Sequence, residues 1–321
     1  MNDFITQGNL VIFLLSFAFS IIIGNILVPF LTRKKVDQTE REIMESHVKK
    51  NGTPTMGGFI FLIPVAVFGI ILSFQNKRFV PVMIGIISFA LIGFLDDFLK
   101  VVKKNKDGLR SWQKLLLQFI AATVMLVYII YFSDISLMIR VPFLSGLFDI
   151  GWVAIPLYYF CVLGTVNGVN LNDGVDAMSS TVTLVVAGFF FVASFITGAG
   201  VGDLSISMIG GLLGFLFFNL HPAKIFMGDT GSLALGGYVA AMAYVMNMPL
   251  FILVVGFIYL LEAISVILQV SYFKISHGKR IFKMTPIHHH FELSGWSEPR
   301  VVGVFAAITF ILAVTALYAI R

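Results

Sequence analysis

Two adjacent carboxylates, Asp96 and Asp97, close a long apolar run in the segment "GFLDDFLK", residues 93–100. Neighbouring like charges repel, so ionising both is costly unless a cation or metal lies close. Lys100 follows one helical turn on. Two acids at a helix C-terminus also oppose the macrodipole, so a solvated helix end leaves them poorly explained. A second cluster, "VNGVNLNDGVDAM" at 166–178, places Asn167, Asn170, Asp173 and Asp176 three residues apart. On a helix these form one polar stripe. Its donors and acceptors suit a nucleobase edge or a ribose. The plainer alternative is a turn in which Asp173 caps the next helix. A third cluster, "FNLHPAKIFMGDTGS" at 218–232, sets Asp229 between Gly228 and Thr230 just before a helix start. A helix N-terminus favours phosphate. Mg²⁺ commonly takes one or two carboxylates together with substrate phosphate oxygens, which makes Asp229 a candidate ligand. Phe226 beside it is an aromatic face for stacking on a base.

Three further features carry polar chemistry. "MTPIHHHFELSGW", 284–296, holds His288, His289 and His290 in a row. Consecutive side chains on a regular element do not face one point, so imidazoles near an anion fit better than a three-histidine zinc site. "KKNGTPTMGGF", 49–59, offers Lys49 and Lys50 to a phosphate or carbonyl, with Thr53 and Thr55 expected to cap a helix starting at Pro54. Glu262 stands inside an apolar run with Gln269 seven residues on, on the same helical face. An intramembrane acid is a functional candidate by default. The single cysteine, Cys161, reads as a small buried hydrophobe.

The elements that position these groups are membrane helices. The chain is 58% hydrophobic and 12% charged, with mean hydropathy +0.94. A soluble domain has about 25% charged residues. Ten apolar runs are long enough to span a bilayer as helices: 10–31, 54–73, 79–95, 112–132, 152–169, 177–198, 204–220, 230–247, 249–270 and 301–320. They do not alternate, which excludes barrel strands. The fold class is therefore all-α, a polytopic membrane protein forming a single unit over 1–321. Ten spans put both termini on one side, and the connections 32–53, 96–111, 170–176, 221–229 and 271–300 on the other. Those connections and their edges carry 18 of the 22 Lys and Arg, all but Lys77, Arg78, Arg140 and Arg321. The positive-inside rule makes that side cytoplasmic and both termini extracytoplasmic. All six histidines and the acids Asp96, Asp97, Asp173, Asp176 and Asp229 fall there too. The net charge of +5 thus belongs to loops facing anionic headgroups or an anionic substrate, and no nucleic-acid partner is expected.

The segments "PTMGG", "DDFLK", "NLNDGVDAM", "FMGDTGS" and "PIHHHFE", in this order over nearly the whole chain, resemble the polyprenyl-phosphate N-acetylhexosamine-1-phosphate transferase superfamily. "PTMGG" and "PIHHHFE" favour its muramoyl-pentapeptide branch. Asn172 departs from the pattern, standing where the family has Thr. The resemblance implies a Mg²⁺-dependent enzyme of the bacterial plasma membrane, with its active site on the cytoplasmic face. Phospho-N-acetylmuramoyl-pentapeptide passes from its UDP conjugate to undecaprenyl phosphate, and lipid I and UMP form. It implies Asp229 and Asp96 as metal ligands. Asp96 and Asp97 become an acidic pair that supports the metal or deprotonates the attacking phosphate. Lys50, Asn170, Asp173, Asp176 and Phe226 would form the uridine pocket, with Asn219 and Lys100 near the phosphates. His288, His289 and His290 would hold sugar or pyrophosphate, with His289 catalytic and Gln269 at the base of that loop. Thr55 and Gly228 complete the implied substrate contacts, and the family often forms homodimers. Two rivals remain: the sister N-acetylglucosamine-1-phosphate branch, and a secondary transporter, which predicts internal repeats and polar groups at mid-membrane.

Overall fold

A computed structural model of the chain describes residues 6–34, 52–101 and 108–320. Lys49, Lys50 and most of the 32–53 connection lie outside the described residues. Within them the chain is helical, and Ile139 and Phe148 form an isolated antiparallel bridge. The helices are α1 (Gln7–Arg33), α2 (Phe59–Gln75), α3 (Phe79–Val101), α4 (Ser111–Phe132), α5 (Ala154–Leu171), α6 (Met178–Thr197), α7 (Gly202–Asn219), α8 (Gly228–Val245), α9 (Phe257–Ile275), the short α10 (Ile287–Glu292) and α11 (Glu298–Tyr318).

Eight of these are long and apolar enough to cross a membrane: α1, α3 to α7, α9 and α11. The chain is a multi-pass membrane protein. The other two expected spans fall on α2, which has 17 residues, and on α8, which is rich in Gly and Ala. The reason for α8's modest apolarity is its position. Every residue of α8 except Asp229 is buried, with α2, α3, α5 and α6 packed around it. A helix enclosed by protein meets no lipid, so small residues that allow close approach matter more there than hydropathy. A Cβ on Gly85 of α3 would sit 2.9 Å from the Gly237 carbonyl of α8. The outer faces of α1, α4 and α9 instead expose Ile26, Leu116 and Ile267, as a lipid-facing surface requires.

Two expected boundaries are corrected. The span expected over 54–73 starts at Phe59, and neither Thr53 nor Thr55 caps it; the N-cap is Gly58, without a side-chain bond. The physical reason is that the preceding segment runs along 226–227 instead. Phe226 N–H donates to the Pro54 carbonyl at 2.8 Å, and Gly57 and Gly58 N–H donate to the Phe226 and Met227 carbonyls at 2.8 and 2.9 Å. The expected span 249–270 is broken. A 3₁₀ turn at Pro249–Phe251 and a short helix at Ile252–Val255 precede Gly256, and α9 begins only at Phe257.

Candidate active site

The end of α3, the start of α8 and the end of α5 meet at one point, which gathers Asp96, Asp97, Asp229 and Asn170. Asp97 accepts the backbone N–H of Asp229 at 3.1 Å, the N–H of Thr230 at 2.9 Å and the Thr230 hydroxyl at 2.6 Å. It caps α8 from a neighbouring helix. This resolves the unfavourable placement of an acid at the C-terminus of α3, because Asp97 faces the positive end of α8 instead. It also corrects the expectation that the α8 N-terminus offers its N–H groups to phosphate: a carboxylate of the chain occupies two of them.

Asp96 is only 2% exposed and faces the other way. It accepts the Leu109 N–H at 2.7 Å and pairs with Lys100 Nζ at 2.6 Å. The same Nζ lies 2.6 Å from Asp229 Oδ2, and Lys114 Nζ approaches that oxygen to 3.2 Å. Asn170 Nδ2 donates to Asp229 Oδ1 at 2.6 Å and to the Ser232 hydroxyl at 2.8 Å. Two carboxylates therefore converge on two ammonium groups, with one amide orienting Asp229. Asp96, Lys100, Lys114, Asn170, Asn167, Gln118 and Leu115 line a cavity of about 410 Å³ between α4 and α5.

The stripe expected on one helix divides. α5 ends at Leu171, and Asp173 and Asp176 lie in the loop that follows. Asn167 exchanges amide hydrogen bonds with Gln118 at 2.8 and 3.3 Å, and both line the cavity beside Asp96. Asp173 does not cap α6, whose N-cap is Ala177 in the left-handed region. Asp176 meets His221 Nδ1 at 2.9 Å and the Ala223 N–H at 3.1 Å, and its own N–H donates to Glu298 at 3.2 Å. Asn172 is fully buried, and neither amide atom has a hydrogen-bond partner among the described residues.

The remaining candidates spread around this centre. Thr55 is buried with Gly228, where a Cβ would sit 2.6 Å from Asp97 Oδ2 and 2.8 Å from Thr55 Oγ1. Phe226 is partly buried in the segment that pairs with Pro54. Asn219 turns inward: it accepts from Ala177 N–H at 3.1 Å and Ser180 at 3.0 Å, and donates to the Ile225 carbonyl at 3.0 Å. Gln269 binds the 281–282 backbone on both sides, accepting from Ile281 and Phe282 N–H and donating to the Phe282 carbonyl, each at 3.0 Å. The three histidines take three different partners. His288 Nδ1 is 3.1 Å from Glu262, His289 Nδ1 is 2.7 Å from Glu292, and His290 Nδ1 accepts the Lys283 N–H at 3.1 Å. Lys114 and Gln118 escaped the sequence-based candidate set. The signal available for them was a lysine and a glutamine one turn apart inside an apolar run.

Comparison with known proteins bears on what this site does. The glycosyl transferase family 4 profile matches residues 79–247, and signature 1 of phospho-N-acetylmuramoyl-pentapeptide-transferase matches residues 50–62. A phospho-N-acetylmuramoyl-pentapeptide-transferase of Acetivibrio thermocellus is 47% identical over 97% of this chain and 94% of its own length. This chain belongs to that transferase family. Enzymes of the same name from Clostridium botulinum (strain Alaska E43 / Type E3) and Caldanaerobacter subterraneus subsp. tengcongensis are 46% and 47% identical, each over 96% of the chain. The family 4 profile covers Asp96, Asp97, Lys100, Lys114, Asn170 and Asp229, the whole carboxylate–ammonium cluster. The transferase signature covers Thr55 and Gly58, whose Cβ position would lie 2.5 Å from Gly231 of α8.

Proposed function

We propose that the chain is the phospho-N-acetylmuramoyl-pentapeptide transferase of peptidoglycan synthesis, moving that group from its UDP conjugate to undecaprenyl phosphate. The observation that carries this is the Asp96–Lys100–Asp229–Lys114 cluster at the ends of membrane helices, in a chain of this family. An oxygen of the lipid phosphate attacks the sugar-proximal phosphorus, the bond to the UMP oxygen breaks, and lipid I and UMP result. Lys100 and Lys114 neutralise the pyrophosphate as charge moves onto UMP, the largest kind of contribution such a site makes. Asp96, facing the cavity, takes the proton when the attacking phosphate carries one. Asp97 keeps Asp229 in register. Asn170 orients the Asp229 carboxylate.

Mg²⁺ fits this donor set. Hard carboxylate oxygens of Asp96 and Asp229 converge on one cationic point, marked by Lys100 Nζ. Bound by these two residues, it would supply further neutralisation of the pyrophosphate. The uridine end is assigned to Lys50, Asp173, Asp176 and Phe226, and the sugar or pyrophosphate to the His288–His290 loop. The proposed topology has ten crossings, both termini extracytoplasmic and the active site on the cytoplasmic face of the bacterial plasma membrane. The basic residues on one side support it. Trp112 and Trp152, exposed at opposite ends of the bundle, are placed as interfacial anchors of the crossings whichever way the chain is oriented. A homodimer is proposed on family grounds alone.

The test offers purified protein undecaprenyl phosphate with either UDP-N-acetylmuramoyl-pentapeptide or UDP-N-acetylglucosamine and reads the lipid-linked product. Product from the first nucleotide alone is expected. Product from the second alone would move the chain to the sister branch, and vesicle uptake without UMP release would favour a transporter.

A further inference from the structure

Glu262 is fully buried on α9, and the reaction described above gives it no role. Its carboxylate lies 3.1 Å from Nδ1 of His288, which is fully buried too. The approach is not aligned as a hydrogen bond, and among the described residues neither carboxylate oxygen and neither ring nitrogen has a hydrogen-bond partner. Each group is thus the other's nearest polar neighbour in a buried site, and removing one leaves the other without it.

The two ends of this pair are fixed differently. α9 is locked in place by Tyr259, whose carbonyl would be 2.9 Å from a Cβ on Gly168 of α5, and whose hydroxyl bonds Thr183 of α6 at 2.8 Å. Gly168 is three residues from the end of α5, so α9 enters the bundle at the depth of the site. Glu262, three residues on from Tyr259, thus lies near the depth of the site. His288 sits on α10, a helix of 6 residues with little to hold it alone. Its ring touches Gly174, where a Cβ would overlap Nε2, and it packs on His289 with ring centroids 4.1 Å apart. Gly174 lies in the loop between Asp173 and Asp176.

We infer that Glu262 is a positioning residue for the transferase: it anchors His288, and through His288 sets the spacing between the Asp173–Asp176 loop and the His289–His290 segment. This rests on the function proposed above. It assigns Glu262 to the nucleotide-sugar side of the site, and leaves the lipid-phosphate side between α4 and α5 untouched.

The experiment uses the full chain in detergent with Glu262→Gln, Glu262→Leu, His288→Leu and the double leucine variant. It reads kcat, KM for each substrate and the thermal midpoint. Glu262→Leu is expected to lower kcat/KM for the UDP-sugar about 100-fold, the scale of an ångström's misplacement. KM for undecaprenyl phosphate should stay unchanged. Glu262→Gln keeps an acceptor for His288 and should recover most of the loss. The double variant should be no worse than the worse single one, as for residues acting as a unit. Equal rises in both KM values, no recovery by Gln, or additive losses would overturn the inference. If the unaltered chain turned over no UDP-sugar, the functional proposal itself would fall. The thermal midpoints would then judge the anchoring alone, non-additive shifts supporting it and additive shifts overturning it.

Discussion

Asp97 commits both carboxylate oxygens to the start of α8, whereas Asp96 keeps one oxygen on Lys100 and the cavity. Substitutions should separate them. Asp97→Ala removes a helix cap and should cost about 1 kcal/mol of stability, read as a lower thermal midpoint, besides any loss of turnover. Asp96→Asn should cut kcat by roughly 10²–10⁴-fold with little change in midpoint, the range for a general base. Full turnover by Asp96→Asn would remove it from the mechanism. Asn172→Thr replaces two buried, unpaired amide atoms with one hydroxyl, so the midpoint should rise; a fall would mean that the amide has a partner. The carboxylates were legible in the sequence because acids in apolar runs demand a reason. Lys114 was not, since a lysine near a helix end is ordinary until Asp229 is found 3.2 Å away. Asn219 and Gln269 read as ligand contacts, yet their amides bind the backbone of adjoining loops. Polarity in the sequence does not say which way a side chain turns.

At the scale of elements, α8 organises the site, since one helix start carries Asp229 and receives Asp97. Its packing rests on small residues: a Cβ on Gly237 would sit 2.6 Å from the Gly85 carbonyl. Gly237→Val should therefore overpack the α3–α8 seam by about 1–3 kcal/mol and lower both midpoint and activity. An unchanged midpoint would show that the seam yields. Hydropathy located the long helices well, since lipid-facing surface is what it measures. It could not locate the start of α2, set by backbone bonds to Phe226 and Met227, or the break at Gly256, after which α9 starts anew at Phe257. The polar stripe of 166–178 failed as one helical face for a similar reason. α5 ends at Leu171, and its last turns serve Asp229 while the loop serves His221 and Glu298.

For the whole molecule, the charge distribution along the chain and the cluster at the helix ends give one picture: a lipid phosphate at the membrane edge, a nucleotide from the aqueous side, and cations between. Topology can be read with single cysteines in a Cys161→Ala background. Lys77→Cys should react with an impermeant thiol reagent from outside intact cells, and Lys279→Cys only after permeabilisation; the reverse pattern would invert the protein. The most direct test of the central claim is UMP release by purified protein given UDP-N-acetylmuramoyl-pentapeptide, with undecaprenyl phosphate and Mg²⁺ each present or withheld. UMP that appears only when both are present, and that is lost in Asp229→Asn, is the predicted result. UMP release that needs no lipid phosphate, or that survives Asp229→Asn, would contradict the account.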